Sequence, residues 1–387
     1  MSGSGPGASR RATVVGVGYS SVHRELGVDT RPLVVDACVA ALRDAGLTPT
    51  GIDAVFEYPG VGSQSAVNVQ RLLGIGDLKA YGDLGGSGPS GLAAAMAAVA
   101  AVESGSCDVA LVFRSVNREW GQQSGRVEVP PAANAAQFTL PYGDFGGIIP
   151  SMGMRKYRRL AELGGSEEDY GQIALNARRW AAMYERGVLT TPLTMDDYLS
   201  SRFVAEPLRL LDCDYPVTGA CAAIITTAER ARDLAGQPVT IDSVAFGTGS
   251  RPDWTFSDDL LFGGTIGCAR RLWEKSSVTA RDVDVAELYD GFTHITISWI
   301  EALGLCGIGE FGDWVDGGKR IGPGGALPLN TNGGQLAAGR LHGLAFLTEA
   351  VQQLRGDCGQ RQVPGARVAV VANAHGPQCG AMVLTRE

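Results

Sequence analysis

Asp108-Val109-Ala110-Leu111-Val112-Phe113 and Arg367-Val368-Ala369-Val370-Val371-Ala372 are two short apolar runs 259 positions apart. Each has the pattern of a strand buried on both faces. A glycine-rich turn and a small-residue helix precede each run. Gly85 to Gly91 and Leu92 to Glu103 stand before the first, and Asn330 to Gly343 and the helical pattern of Leu336 to Arg355 before the second. The echo predicts a duplicated α/β unit.

Around these runs the β/α rhythm continues. Ala12 to Gly18, Ile52 to Glu57 and Leu78 to Leu84 read as strands, and Pro32 to Ala45 as a helix with apolar residues at helical spacing. Pro238 to Phe246, Val283 to Leu288 and Ala381 to Thr385 read as further strands, with Leu260 to Glu274 and Ile295 to Leu303 as helices. Between Asn117 and Asp233 the rhythm breaks, far beyond the ~2–6 residues of an ordinary βα connection. Helical patterns at Ser151–Leu163, Glu167–Arg186 and Thr194–Ser201 and a loop-like stretch at Val127–Phe138 mark an excursion from the core. The expected organisation is a lead-in at 1–11, a first half at 12–116 and 234–250, an inserted loop domain at 117–233, and a second half at 251–387.

Composition narrows the function. Of 387 residues, 45% are apolar and 19% charged, which excludes a disordered chain. The net charge of −8 provides no basic footprint for nucleic acid. No apolar run reaches the ~18 residues a membrane helix needs. The first residues form no signal peptide, so the expected location is the cytoplasm. The eight cysteines are scattered, with no CxxC pair and no zinc spacing, as expected of reduced core thiols.

Four clusters carry candidate chemistry. Gly16-Val17-Gly18 lacks the third glycine of a dinucleotide fingerprint, because Ser21 stands in its place. Gly85 to Gly91 either presents backbone N–H groups to a developing oxyanion or forms a tight turn. Glu287-Leu288-Tyr289-Asp290-Gly291 ends a strand at the sheet edge where α/β proteins bind ligands, although an Asp-Gly pair also suits a plain turn. Asn330-Thr331-Asn332-Gly333-Gly334 with Gly339-Arg340-Leu341-His342-Gly343 is the densest polar and glycine cluster. Its amides suit a carbonyl oxygen and its histidine a proton shuttle. A single histidine is more often structural, but three of the four (His294, His342, His375) lie in the last quarter, beside these motifs.

Pro207 to Cys213, running into Gly219-Ala220-Cys221-Ala222, resembles the thiolase superfamily. So do Ala286 to Thr293, Asn330 to Gly343 and Glu349 to Val363. The chain is most similar to the sterol-carrier-protein, or lipid-transfer, type. The resemblance implies two α/β halves in five α/β/α/β/α layers, with a loop domain inserted in the first.

The departures from the family pattern carry the functional argument. The position of the nucleophilic cysteine falls on Gly88, or on Ser87 with a one-residue slip. The His or Asn followed by an acid falls on Tyr289 and Asp290. The histidine of the family's GHP motif falls on Arg340, with His342 two residues on. The second catalytic cysteine falls around Ala374 to Gly376, with Cys379 out of place.

An acyl-enzyme requires a nucleophile. A retro-aldol cleavage requires only a base, an acid and an enolate site. The resemblance therefore implies an aldolase cutting a shortened steroid side chain carried as a CoA thioester, releasing a ketosteroid and propionyl-CoA. Tyr289, His342 and Asn332 are the expected catalytic residues. Ser87, Gly88, Asp290, Arg340, Gly334 and His375 are the expected substrate-binding ones. A tyrosine titrates near ~10 in water, so as a base Tyr289 needs help, for which Arg340 is a candidate. No metal or cofactor beyond the CoA of the substrate is implied. A homodimer and a partner protein with an OB-fold and a zinc ribbon are implied. The alternatives are an acyltransferase using Ser87 or a remote cysteine, and an inactive acyl-CoA-binding subunit.

Overall fold

The computed structural model describes residues 10–60, 62–84, 90–119, 148–251, 257–376 and 378–386. The valine-rich runs are strands, and they sit in one sheet. Its strands are β1 (Ala12–Tyr19), β2 (Ala54–Glu57), β3 (Ala80–Asp83), β4 (Val109–Val116), β7 (Gly219–Thr227), β8 (Val239–Thr248), β9 (Val285–Leu288), β10 (Val368–Ala374) and β11 (Gln378–Thr385). A separate ribbon pairs β5 (Phe203–Ala205) with β6 (Leu208–Arg209). The order of the large sheet is β3-β2-β4-β7-β1-β8-β11-β10-β9.

The duplication is written in the strand order. In the first half β3, β2 and β4 are parallel, and β4–β7 and β7–β1 are antiparallel. In the second half β9 and β10 are parallel, and β10–β11 and β11–β8 are antiparallel. Among the described residues a single parallel bridge from Ala286 to Leu329 stands where the first half has β3. The halves join through two residue pairs, Thr13↔Thr240 and Val14↔Val239.

This topology bears on where the halves divide. β7 lies inside the stretch expected as an insertion, yet it is paired along its length between β4 and β1. β8 is paired mainly with β11. We therefore propose that the first half includes β7 and that β8 opens the second.

Two helices, α3 (Ser90–Glu103) and α10 (Gly343–Arg355), touch strands of both halves and form the middle layer. Alanines such as Ala94, Ala95, Ala98 and Ala350 keep them close to the strands. Their N-terminal ends meet. A Cβ on Gly91 would lie 2.8 Å from the Gly343 nitrogen, so only glycine permits the crossing. The outer face of the first half is covered by α1 (Thr30–Ala45) and α2 (Ala66–Leu73). That of the second is covered by α7 (Thr265–Lys275) and α8 (Thr293–Ala302). The layers are thus α/β/α/β/α. Gly16 and Gly18 let β1 lie against the Ala41 and Ala37 carbonyls of α1, so they serve packing.

The excursion contributes α4 (Ile148–Leu163), α5 (Glu167–Ala181) and α6 (Met195–Ser200). A buried ion network docks it onto the second half. Fully buried Lys156 donates to Asp212 (2.9 Å) and to Glu167 (3.1 Å), and Tyr198 and Thr293 also donate to Asp212. Such a network is strongly destabilised when one partner is lost, because a buried charge is left alone. It ties the insertion to the start of α8, four residues past Tyr289.

Two expectations change. The helix read over Leu336–Arg355 is broken into α9 (Gly334–Ala337) and α10, because Gly339 (φ 105°) and His342 (φ 61°) lie in the left-handed region. The helix read from Leu260 starts at Thr265, after Gly263 at φ 57°. The loop at Val127–Phe138 and most of the lead-in lie outside the described residues. Among the described residues no helix is long and apolar enough to cross a membrane.

Candidate active site

The C-terminal ends of β2, β4, β9 and β10 and the N-terminal ends of the central helices converge. Tyr289 follows β9, and its turn is fixed by Asn330. The Asn330 amide accepts from the Leu288 nitrogen (2.7 Å) and donates to the Leu288 oxygen (2.9 Å). That double bond to the strand end holds Asn330 at φ 50°, a conformation asparagine tolerates better than most residues. The Tyr289 ring folds back over Gly291, where any Cβ would collide with it. Burial raises the Tyr289 hydroxyl above its ordinary pKa, and the nearby Asp214 carboxylate raises it further while Arg340 opposes.

Asp290 is buried, and its carboxylate accepts from the Gln335 nitrogen at 2.8 Å and the Leu336 nitrogen at 3.4 Å, at the start of α9. Burial pushes its pKa up to about 7 against those hydrogen bonds. Gly334 (φ 58°) leaves the space this carboxylate occupies, since a Cβ there would overlap an Asp290 oxygen. Asp290 and Gly334 therefore build the wall that positions Asn332, whose Oδ1 accepts from the Gly334 nitrogen at 2.8 Å.

Arg340 pairs with Asp214 at 3.2 Å, and its backbone nitrogen donates to the Tyr215 oxygen. Tyr215 donates in turn to Gln335, and Asp214 to Gly291, so this segment clasps the Tyr289 turn to the Gly339–His342 loop. Burial pushes Asp214 up to about 6, with Arg340 pulling against it.

His342 precedes α10 at φ 61°, with its nitrogen donating to the Gln335 side-chain oxygen at 3.1 Å. Its ring stands edge-on to Tyr58, centroids 5.8 Å apart, and its Nδ1 lies 3.4 Å from Arg114 Nη2. Burial and the two cations Arg114 and Arg340 hold its pKa well below the ordinary histidine value. Tyr289 and His342 thus share the neighbours Arg340 and Tyr58.

His375 is buried at the end of β10, with Nε2 2.9 Å from the Leu261 oxygen and its ring beside His294. Burial pulls its pKa down to about 3. Ser87 and Gly88 lie outside the described residues. Gly91 nevertheless places the start of α3 against Gly343, directly after His342.

The cysteines offer no activated thiol near this site. Cys221, beside Arg114 on the sheet, is pushed up to about 12 by burial, and Cys306 likewise. Cys379 Sγ points at the Gly247 oxygen, and its pKa is raised by Cys268 and by burial. Among the described residues no group of three His, Cys, Asp or Glu could hold a metal ion.

Sequence reading missed Tyr58, Arg114, Asp214 and Gln335. The duplication itself signals two of them. Tyr58 follows β2 as Tyr289 follows β9, and Arg114 follows Phe113 on β4 as Asn373 follows Ala372 on β10.

A cleft of about 330 Å³ adjoins Asp214 and Tyr215, lined mainly by leucines of the excursion and by Leu336. A narrower one, with room for about 20 Å³, reaches Asn332, Gly334 and Leu341.

Comparison with known proteins agrees with this architecture. Residues 251–385 match the thiolase C-terminal domain-like family. The chain is 35% identical to the 17-hydroxy-3-oxo-4-pregnene-20-carboxyl-CoA lyase of Mycobacterium tuberculosis, over 90% of this chain and 92% of that one. It is 32% identical to the steroid side-chain-cleaving aldolase of Thermomonospora curvata, over 97% of each. The solved Ltp2-ChsH2(DUF35) aldolase superposes with a TM-score of 0.88 at 29% identity, over 97% of this chain and 98% of that one. The chain belongs to the thiolase superfamily.

Proposed function

We propose that the protein is a carbon–carbon lyase that cleaves a β-hydroxyacyl-CoA bearing a steroid side chain by a retro-aldol reaction. The observation that carries this reading is that Tyr289 and His342 share the charged neighbour Arg340 beside the starts of the central helices, while the thiol of Cys221, next to Arg114, is buried and raised by that burial. Similarity to two proteins named as a steroid CoA lyase and a side-chain-cleaving aldolase supports the same class.

In this reading the β-hydroxyl gives up its proton and its oxygen becomes the ketone carbonyl. The bond between the carbinol carbon and the α-carbon breaks, and its electron pair forms the thioester enolate. Protonation of the α-carbon then releases propionyl-CoA. Tyr289 is the proton-transfer group: it takes the β-hydroxyl proton as its own hydroxyl proton passes toward the Asp214 carboxylate, and the same relay run in reverse protonates the α-carbon. Asn332, His342 and the N–H groups at the starts of α3 and α10 hold the enolate oxygen. Ser87, Gly88 and His375 are assigned to substrate binding in the same reading.

Arg340 and Asp290 act on the substrate through the elements they fix. The apolar cleft beside Asp214 suits a fused-ring hydrocarbon, because pockets of ~300 Å³ and more take such ligands. No cofactor is required by this route beyond the CoA of the substrate. The protein works in the cytoplasm as a homodimer with an OB-fold, zinc-ribbon partner; the two-protein name of the structural neighbour supports a partner.

The test is to incubate the protein, with and without such a partner, with a β-hydroxyacyl-CoA steroid. Ketosteroid and propionyl-CoA in equal amounts are expected. Absence of both products with the partner present rejects the reading.

A further inference from the structure

We propose that Arg114 locks His342 in the tautomer that carries its proton on Nε2, so that His342 serves as a fixed hydrogen-bond donor to the thioester oxygen and takes no proton from the substrate. This deepens the aldolase reading and rests on it for the identity of the oxygen.

A guanidinium has five N–H donors and no acceptor. Arg114 Nη2 lies 3.4 Å from His342 Nδ1. A hydrogen bond there requires a lone pair on Nδ1, so the one proton of a neutral imidazole sits on Nε2. An imidazolium would set an N–H against the guanidinium, with Arg340 adding a second positive charge.

Both partners are held. Arg114 is 1% exposed in the middle of the sheet, with β4 paired to β2 on one side and β7 on the other. Its Nη1 donates to the Tyr58 oxygen, and its guanidinium carbon lies 4.3 Å from the Tyr58 ring centroid. The His342 ring packs at a T-shaped angle against the same tyrosine, and the Gln335 side-chain oxygen accepts from the His342 nitrogen and so holds its backbone at a positive φ. Strain of that kind costs ~1–3 kcal/mol and persists only where surrounding contacts enforce it.

The tautomer divides the labour. The basic nitrogen is turned toward Arg114, and the ring presents an N–H on its opposite side. Such a donor stabilises charge developing on an enolate oxygen, and it does so without transferring its proton. The β-hydroxyl proton must then leave through Tyr289, whose own hydroxyl proton passes toward the Asp214 carboxylate. Arg114 never touches the substrate; it is a positioning residue.

The test reads the imidazole directly. In uniformly ¹⁵N-labelled protein, the His342 ring signals are assigned by their loss in His342→Asn. We expect a pyridine-type Nδ1 and a pyrrole-type Nε2, unchanged from about pH 8 to about pH 5.5. A proton on Nδ1, or an imidazolium in that range, overturns the proposal.

Kinetics add a second arm. Arg114→Met should lower kcat at least ~100-fold with KM within ~3-fold, and Arg114→Lys, which keeps a cationic donor, should recover at least ~10-fold of the loss. Equal losses in the two variants overturn the positioning role. If the wild-type protein cleaves no β-hydroxyacyl-CoA while the Nε2–H tautomer is observed, the reaction assignment has failed and the tautomer stands.

Discussion

Tyr58 and Tyr289 occupy the same register position in the two halves of the sheet. Each follows a strand whose last residue is the last parallel pair with its neighbour, Glu57 with Phe113 and Leu288 with Ala372. The duplication has diverged at this point. Tyr58 gives its ring to His342 and Arg114, while the Tyr289 hydroxyl stands in the field of Asp214 and Arg340.

The two hydroxyls therefore differ in worth. Tyr289→Phe should lower turnover at least ~100-fold with the fold intact, the scale of losing a proton-transfer group. Tyr58→Phe keeps the ring and should cost less than ~10-fold, since neutral hydrogen bonds contribute ~1 kcal/mol. Steady-state kinetics of both variants decide this. Near-normal turnover in Tyr289→Phe removes that residue from its role.

Gly334→Ala should damage the site and the fold together. The new methyl would overlap the Asp290 carboxylate, and φ 58° is unfavourable for alanine. A loss of at least ~2 kcal/mol in unfolding free energy is expected, read by urea titration monitored by circular dichroism.

Buried histidine makes the fold acid-sensitive. His375 has a folded pKa of about 3, below the ~6.5 of an unfolded chain. The unfolded state binds more protons between these values, so the stability present above about pH 6.5 is lost as pH falls toward 3. At pH 5 the loss from this group is ~2 kcal/mol. His375→Asn should make the decline in Tm between pH 7 and pH 5 shallower, by scanning calorimetry. An unchanged slope would mean that His375 is protonated in the folded protein.

Removing thiols should leave turnover alone. Cys379→Ala should lower stability by ~1 kcal/mol, as a small core truncation does, and keep kcat within ~3-fold. Cys213→Ala, beside the apolar cleft, should keep kcat within the same bound. A loss of ~100-fold in either variant would point to sulfur chemistry.

Much of this was legible in the sequence, for identifiable reasons. Asp108–Phe113 and Arg367–Ala372 are continuous apolar runs because their strands are covered on both faces. Tyr289 and Asp290 stand out in the sequence because they end such a strand. Arg114 was missed because it reads as the polar end of an apolar run; nothing local says that a guanidinium is to be buried against a histidine 228 positions away. The break between α9 and α10 was missed because Ala338 and Leu341 keep helical spacing, while tertiary contacts hold His342 at a positive φ. Asp290 looked like a ligand for substrate, but its lone pairs are directed at the Gln335 and Leu336 nitrogens.

The proposed retro-aldol route cuts a carbon–carbon bond while the polypeptide stays unacylated. Intact-protein mass spectrometry during turnover of a β-hydroxyacyl-CoA steroid tests it most directly. The predicted result is a protein of unchanged mass while ketosteroid and propionyl-CoA accumulate together. A protein carrying an added acyl group that is lost as product forms would contradict it.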